Sequence, residues 1–378
     1  LSIPAIIASL AFPSSASAKN KAVSRFITMQ RKIRLKDVAE KAGVAVNTAS
    51  TILNRRPNSW ASKATEERVF KAAKELGYRP SKTARALQSG RYEAIGFVVQ
   101  DLTNPFYTTL ADELESNVEE KNLTLLIENC RSSIVREKRI LDSLPDLEVD
   151  GAVIYLSNYE LYREELASRY GKGIPLVALA NGVPEEPYPI DSVLSDFTEG
   201  LKQAIVRLNE LGHRRFVFLS AIAEGMSDGS RPELVQKLLA DAEVPSDQVK
   251  VLSCGPSIDS AHQTFSKYLA EHSGSDRATA LIGMNDLSAM GAMRAAIDSG
   301  LSIPNDLSVV GVDDVPLSSY FPISLSSVRQ RYRKITEAAT ELLLTRIEAT
   351  PDNQPASPRQ VVLPTVFIER ESMGPVPE

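Results

Sequence analysis

Apolar positions recur along this chain at two different periods, and the change of period divides it. Between residues 35 and 76 the period is helical. Leu35, Val38, Ala39 and Ala42 fall at i, i+3, i+4 and i+7, which places them on one face. Gly43 follows, a residue that tolerates the left-handed backbone of a tight helix exit. Val44 then reads as a core plug before a second helix over 46–54, with Ala49, Ile52 and Leu53 turned inward. A third helix opens on Ser62 as N-cap, carries Val69, Ala72, Ala73 and Leu76 as its stripe, and ends at Gly77. Pro80 introduces a short segment over 81–87 that is too short to hold as a helix alone; it needs a second copy of itself or a nucleic acid.

Beyond residue 93 the pattern changes to short continuous apolar runs separated by helical stretches. The runs predict strands over 94–99, 123–128, 151–156, 176–180, 216–220, 250–253, 280–284 and 308–312. Continuous Val, Ile and Leu runs are the mark of parallel strands buried on both faces. Strand alternating with helix predicts doubly wound α/β sheets, and this number of strands predicts two lobes. Ligands of such sheets bind at the carboxyl ends of the strands, so the cleft between lobes is the expected site.

Charge sharpens this division. Of the net charge of −5, residues 1–30 carry +3, residues 31–92 carry +10, and residues 93–378 carry −18. A small basic module joined to an acidic body is suited to a polyanion at one end only. Helix, short Gly-containing turn and helix make a helix-turn-helix, whose second helix enters the major groove. Its outward residues are Val46, Asn47, Ser50 and Thr51. Asn pairs bidentately with adenine, and Val meets a thymine methyl.

The first residues are apolar, then Ser-rich, and end Ala16-Ser17-Ala18, like the close of a secretory signal. No basic residue precedes the apolar stretch, and Met29 stands directly before the basic module. Residues 1–30 are therefore read as an extension, disordered or a mis-assigned start. Cys130 and Cys254 lie far apart in apolar surroundings and read as buried thiols. His213 follows Leu211-Gly212 at a helix end and reads as structural; His262 and His272 read as surface. No nucleophile–base pair, metal-ligand spacing or phosphate loop is present in the sequence, so no cofactor, metal or enzymatic activity is expected.

The stretch Lys36-Asp37-Val38-Ala39-Glu40-Lys41-Ala42-Gly43-Val44, with Thr48, Ser50, Leu53-Asn54 and Glu75-Leu76-Gly77-Tyr78-Arg79-Pro80, resembles the headpiece of the lactose-repressor (LacI/GalR) family. The resemblance implies that Val46 and Asn47 read bases, and that Thr48 and Ser50 bind phosphate. Thr51 and Asn54 complete the expected DNA-facing set. Ala84 and Leu87 match the hinge residues at the minor groove, where an apolar wedge kinks the duplex. Three departures stand out. Ala45 replaces the usual capping Ser, Thr51 stands where many members carry Arg, and the loop over 54–62 is longer and holds Trp60, the only tryptophan.

The body is similar to the same family through Asp101-Leu102-Thr103-Asn104-Pro105-Phe106-Tyr107, Val149-Asp150-Gly151, Leu211-Gly212-His213-Arg214-Arg215, Asn285-Asp286, Gly311-Val312-Asp313-Asp314 and Leu325-Ser326-Ser327-Val328-Arg329-Gln330. By position, Asn104, Phe106, Tyr107, Tyr155, Arg231, Asn285 and Asp313 match the family's effector pocket. Asn104 has loop shaping, and Asn285 helix capping, as its alternative role. Arg231 and Asp313 are charges that need a partner or ligand if buried. Ala180, with Asn181 beside it, stands where several sugar-binding members place an acid, and Leu234 and Val235 replace the usual Gly-aromatic pair.

The fold class implied is α/β: an N-terminal all-α helix-turn-helix headpiece plus a two-lobed, periplasmic-binding-protein-like core of doubly wound parallel sheets. The expected domains are an extension over 1–30, a headpiece over 31–80, a hinge helix and linker over 81–92, and a core over 93–378. Lobe 1 is expected over about 93–192 and 330–356, and lobe 2 over about 193–329 and 357–372. The function implied is transcriptional regulation, by repression, under a small-molecule effector such as a sugar or related metabolite. The expected partners are double-stranded operator DNA, the effector and a second copy in a homodimer, with no membrane. The location is cytoplasmic and nucleoid-associated. The competing class is a secreted or periplasmic sugar-binding protein, which would share the body but have no use for the basic module.

Overall fold

The computed structural model describes residues 33–54, 61–79, 86, 90–169, 172–221, 231–349 and 357–376. The chain divides into two compact units, Leu1–Gly90 and Arg91–Glu378.

The first unit is built from helices α1 (Leu35–Ala42), α2 (Val46–Leu53) and α3 (Lys63–Leu76). Helix α1 opens where the Arg34 backbone N–H donates to Asp37 Oδ2 at 2.7 Å. It closes on Gly43, whose φ of +66° is the left-handed exit that glycine adopts at no steric cost. Ser62 caps α3 by accepting from the Thr65 N–H at 3.3 Å. The inward stripes meet in one small core of Val38, Ala39, Ala42, Ala49, Ile52, Val69, Ala72 and Ala73. Five of these eight are alanine, so the helices approach closely and little apolar area is buried.

The second unit contains two six-stranded sheets. The lobe 1 sheet runs in the order β11-β5-β4-β3-β1-β2. Its strands are β1 (Ala94–Val99), β2 (Thr124–Asn129), β3 (Gly151–Tyr155), β4 (Leu176–Asn181), β5 (Asp191–Asp196) and β11 (Gln360–Pro364). The lobe 2 sheet runs β12-β10-β9-β8-β6-β7. Its strands are β6 (Phe216–Ala221), β7 (Val249–Cys254), β8 (Ala280–Gly283), β9 (Ser308–Asp313), β10 (Ser326–Arg329) and β12 (Val366–Ile368). Every described pairing is parallel except β10 with β12. Between strands run α4 (Pro105–Glu119), α5 (Ile134–Ser143), α6 (Arg163–Arg169), α7 (Thr198–Glu210), α8 (Arg231–Asp241), α9 (Ile258–Glu271), α10 (Asp286–Asp298) and α11 (Tyr332–Ile347).

The eight expected strands are present to within a residue or two, and four more join them. The lobe boundaries need correction. Residues 193–196 and 360–364, expected in lobe 2, belong to the lobe 1 sheet, where β11 pairs with β5 from Gln360↔Ser192 to Pro364↔Asp196. The reason lies in Asp191, which is fully buried in lobe 1. It accepts from Arg346 Nε at 2.7 Å, Arg346 Nη2 at 3.0 Å and the Arg359 backbone N–H at 2.6 Å. These bonds hold β5, the end of α11 and the start of β11 together. The chain thus crosses between lobes three times, after β5, β10 and β11. Among the described residues, no helix is long and apolar enough to cross a membrane.

Candidate functional site

Helix α2 presents its first turn outward. Val46 is 42% exposed, and Asn47 is exposed beside it. Thr48, Ser50, Thr51 and Asn54 are half-buried. The Thr51 hydroxyl donates back to the Asn47 carbonyl at 2.9 Å, and Asn54 Nδ2 donates to Ser50 Oγ at 3.3 Å. Ala45 has the extended backbone of an N-cap but supplies no side-chain cap. Ala84, Leu87 and Trp60 lie outside the described residues.

The second constellation sits at the carboxyl ends of strands in both lobes. From lobe 1, the rings of Phe106, Tyr107 and Tyr155 meet edge to face, with centroids 5.0, 5.6 and 5.2 Å apart. Phe106 and Tyr107 begin α4, and Tyr155 ends β3. From lobe 2 come Arg231 and Asp313, both buried. The Arg231 guanidinium lies 4.8 Å above the Phe197 ring, and its Nη1 donates to the Met284 carbonyl at 2.8 Å. Asp313 ends β9 with φ +103°, a backbone few side chains adopt, and Asp314 follows at φ +56°. Gln330 Nε2 donates to Asp313 Oδ1 at 2.7 Å.

Two carboxyls here are displaced from their usual range. Burial pushes Asp313 up to about 8, the nearby Asp286 adds to this, and Arg231 and Gln330 oppose it. Burial likewise pushes Asp286 up to about 7, opposed by hydrogen bonds from Ser318, Ser327 and the Val315 N–H at 2.6, 2.6 and 2.8 Å. A buried carboxyl near its midpoint at neutral pH offers a ligand both a donor and an acceptor. Tyr107 and Tyr155 stay protonated, raised by burial and by neighbouring Asp313 and Tyr107 respectively, and so remain donors.

Five of the seven expected effector residues, Phe106, Tyr107, Tyr155, Arg231 and Asp313, come together in this way. The other two have demonstrable local work. Asn104 caps α4, accepting from the Phe106 N–H at 3.0 Å. Asn285 caps α10, accepting from the Ser288 N–H at 2.8 Å. Sequence reasoning missed Tyr332, whose ring lies 5.7 Å from Phe106 and whose hydroxyl donates to the Asp313 carbonyl at 3.0 Å. One side chain therefore touches both lobes, immediately after a crossover. Its signal was its place two residues beyond the matched Gln330. Also missed was Glu137, fully buried, which accepts from the Ser157 N–H and Oγ, each at 2.9 Å, and from Gln100. It anchors the segment that carries Tyr155.

His213 is structural, fully buried between Thr279 Oγ1 at 3.0 Å and the Gly374 carbonyl at 2.9 Å, with burial holding it below the usual imidazole range. His262 and His272, expected at the surface, are half-buried: one meets Asp298 and the other stacks on Tyr268. Burial pushes the Cys130 and Cys254 thiols up to about 12 and about 11, which leaves them unreactive. No group of His, Cys, Asp and Glu among the described residues is arranged to hold a metal ion.

Comparison with known proteins bears on both constellations. The family described as bacterial regulatory proteins, lacI family, matches residues 34–81, and the periplasmic binding protein-like domain matches residues 205–373. The HTH-type transcriptional repressor PurR of Aliivibrio fischeri (strain MJ11) is 30% identical over 316 residues, which span 83% of this chain and 91% of that protein. The fold is shared with the lac repressor dimer bound to operator and the anti-inducer ONPF (TM-score 0.77, 24% identity, 91% of this chain and 100% of that one). A LacI family transcriptional regulator from Enterococcus faecium with bound ribose superimposes with TM-score 0.62 at 26% identity, over 75% of this chain and 99% of that one.

Proposed function

Because the chain belongs to the lacI family of bacterial regulatory proteins, we infer that it is a sequence-specific DNA-binding transcriptional repressor. Its operator affinity is controlled by a small-molecule effector, a sugar or related metabolite, bound between the lobes. The observation that carries this reading is the pairing of two features in one chain. A basic three-helix unit exposes the first turn of its second helix, and a two-lobed unit converges aromatic rings on Arg231 and Asp313 at its strand ends. The secreted sugar-binding alternative accounts only for the second and finds no support. Relatives of this chain are regulators rather than enzymes, and we extend that to this chain. The reading goes with a cytoplasmic, nucleoid-associated location.

Val46 and Asn47 are assigned to base edges, and Thr48 and Ser50 to phosphates, with Thr51 and Asn54 flanking them. The bent-back Thr51 hydroxyl favours a contact through its methyl face. Two chains joined through their core units meet two half-sites, since a two-fold protein matches a two-fold operator. The half-exposed apolar residues Leu126 and Ile127 on β2 and Val251 on β7, both sheet-edge strands, support such joining. The paired hinge segments order on the DNA, with Ala84 beside the Leu87 wedge. An effector that changes the lobe angle biases that ordering, so ligand and DNA affinities are reciprocally coupled, typically by about 1–3 kcal/mol.

The test is selection of binding sites from random duplex DNA, followed by mobility shifts across a salt series. The reading expects a near-palindromic site with steeply salt-dependent affinity. Leu87→Ala should weaken the selected site far more than random duplex. An absence of salt-sensitive DNA binding refutes the regulator reading, and equal losses on both duplexes refute the wedge.

A further inference from the structure

The chain passes from the DNA-binding unit into the core unit between Gly90 and Arg91, and its first residues there are tied down at once. The carboxylate of Asp150, the residue before β3, accepts from the Tyr92 N–H through Oδ1 at 2.6 Å and from the Glu93 N–H through Oδ2 at 2.9 Å. Bonds to a charged acceptor are the stronger kind. The Asp150 N–H donates to the Ala94 carbonyl at 2.8 Å, and the Thr124 N–H, at the start of β2, donates to the Glu93 carbonyl at 2.9 Å. Arg91 Nη2 donates to the Ile347 carbonyl at 3.2 Å, at the carboxyl end of α11. Glu93 is held at φ +56°, a left-handed backbone that a side chain adopts only where its surroundings over-determine it. Arg91, Tyr92 and Glu93 are all exposed, so these bonds fix the path of the chain and bury little apolar surface.

The tie point is also where two elements that reach the interlobe site begin or end. Strand β3 starts at Gly151, next to Asp150, and finishes at Tyr155, whose ring packs on Phe106 and Tyr107. Helix α11 finishes at Ile347 and starts at Tyr332, which touches Phe106 and Asp313. Its 16 residues make a rod, about 24 Å long at 1.5 Å per residue. The two elements are in hard contact at the tie point. A Cβ on Gly151 would lie 2.9 Å from Leu343 Cδ1, 3.2 Å from Ile347 Cδ1 and 3.0 Å from the Pro175 carbonyl oxygen. Contacts as close as these pass on a displacement rather than absorb it. A shift at the cleft end of β3 or α11 therefore reaches the groups that hold Arg91, Tyr92 and Glu93.

We propose that Asp150 is a positioning residue that couples the two units: its carboxylate, with Arg91 as a second tie, makes the chain at residues 91–93 move with lobe 1, so that binding at either unit is felt at the other. The proposal rests on the reading that the chain binds operator DNA. Without the ties, residues 91–93 become a slack tether. At ~3.3–3.6 Å per residue they give each chain about 10 Å of play. That exceeds the roughly 1–2 Å element shifts by which such signals ordinarily travel.

Coupling is reciprocal, so DNA itself serves as the probe. Hydrogen exchange of the full chain is measured with and without a saturating duplex taken from the site selection described above. In the parent chain the duplex should change exchange in the first turn of α11, at the far end of the rod, by about fivefold or more, the low end of ordinary coupling. Asp150→Ala removes both acceptor oxygens. It should keep the duplex-induced protection of α1, α2 and α3 but cut the α11 response to less than about twofold. Asp150→Asn, which keeps one acceptor, should fall between. Arg91→Ala, at an exposed side chain, should also reduce the response and leave the urea midpoint at the parent value; if Asp150→Ala lowers that midpoint, Arg91→Ala decides alone. An α11 response as large in both alanine variants as in the parent overturns the coupling role and leaves the regulator reading standing. A parent chain that binds duplex with no response in α11 does the same. A parent chain that binds no duplex overturns the regulator reading and the coupling role together.

Discussion

Ala45 offers a test in which the protein supplies its own control. Its backbone has φ −66° and ψ 150°, and Ser62, the working cap of α3, has φ −66° and ψ 152°. The chain at Ala45 is therefore already shaped for a cap and lacks only the oxygen. Helix α2 is short of every other support as well. It has eight residues, no acidic residue in its first turn, no basic residue in its last, and only Ala49 and Ile52 fully buried. Ala45→Ser should let the new hydroxyl accept from the Thr48 N–H, as Ser62 accepts from Thr65 at 3.3 Å. An N-cap Ser is worth about 1 kcal/mol over Ala. That corresponds to roughly fivefold slower opening-limited amide exchange in α2. Ser62→Ala should shift α3 by a similar amount in the opposite direction. Hydrogen exchange on the full chain reads both. Ala45→Asp caps equally well but places a negative charge at the helix end assigned to DNA, so it should slow exchange yet weaken operator binding, most at low ionic strength. If Ser62→Ala behaves as stated while Ala45→Ser changes exchange in α2 by less than about twofold, the capping argument fails. If Ala45→Asp binds operator as well as Ala45→Ser does, the orientation of α2 toward DNA fails.

Further outcomes follow from the core. Asp191→Ala removes a fully buried carboxylate that holds Arg346, itself nearly buried, and should cost about 3–5 kcal/mol in urea unfolding. Replacing Asp191 and Arg346 together by Leu and Met should recover much of that loss, and a double substitution as damaging as the single one refutes the ion-pair account. Stability should also depend on pH through Asp313. Its folded pKa, about 8, lies above the ordinary 3.8, so the folded state favours the protonated form. The stabilisation is complete below about 3.8 and fades as pH rises to about 8. Asp286, raised to about 7, acts in the same sense. Asp313→Asn should therefore gain in melting temperature relative to the parent between pH 5.5 and pH 8.5, and parallel profiles would contradict the assignment. Tyr332→Phe, which loses the hydroxyl that reaches the Asp313 carbonyl, should alter effector affinity without changing the DNA affinity of the ligand-free chain by more than about twofold; a large change in that DNA affinity would show that the contact sets the resting lobe angle.

Much of this architecture was legible because local and global preferences agree. The stripes of α1 and α3, the cap at Ser62 and the exit at Gly43 could all be read from spacing and residue type. So could strands such as Ile95–Val99 of β1, which are apolar throughout. The run Asp191-Ser192-Val193-Leu194-Ser195-Asp196 was not legible, since four of its six side chains are polar and yet all but Asp196 are buried. What makes it a strand lies far away in sequence: Arg346 and Arg359 for Asp191, and Gln330 for Ser195 at 2.5 Å. The same limit applies to the site. Arg231 and Asp313 were reached through the family match, as charges that need a partner if buried. Glu137 was not, because its partners Gln100 and Ser157 come from the segments that follow β1 and β3. For Asn104 and Asn285, capping and ligand contact draw on the same residue type, and the sequence does not separate them.

The position of β11 has a consequence for how the protein is made. Lobe 1 begins its sheet with β1 at Ala94, but its edge strand ends at Pro364, and the helix packed behind it, α11, spans Tyr332–Ile347. Five of the six lobe 2 strands, by contrast, lie in one continuous stretch from Phe216 to Arg329. During vectorial synthesis the lobe that starts first is therefore completed only after all but one strand of the other has been made. At about 5–20 residues per second, the ribosome spends roughly eight to thirty seconds between β5 and the end of α11. For that interval β5 is an open edge, the inner face of the nascent sheet lacks its covering helix, and Asp191 remains an ordinary hydrated carboxylate. The nascent chain is most vulnerable to aggregation there, and the Asp191–Arg346 pair is among the last contacts to close.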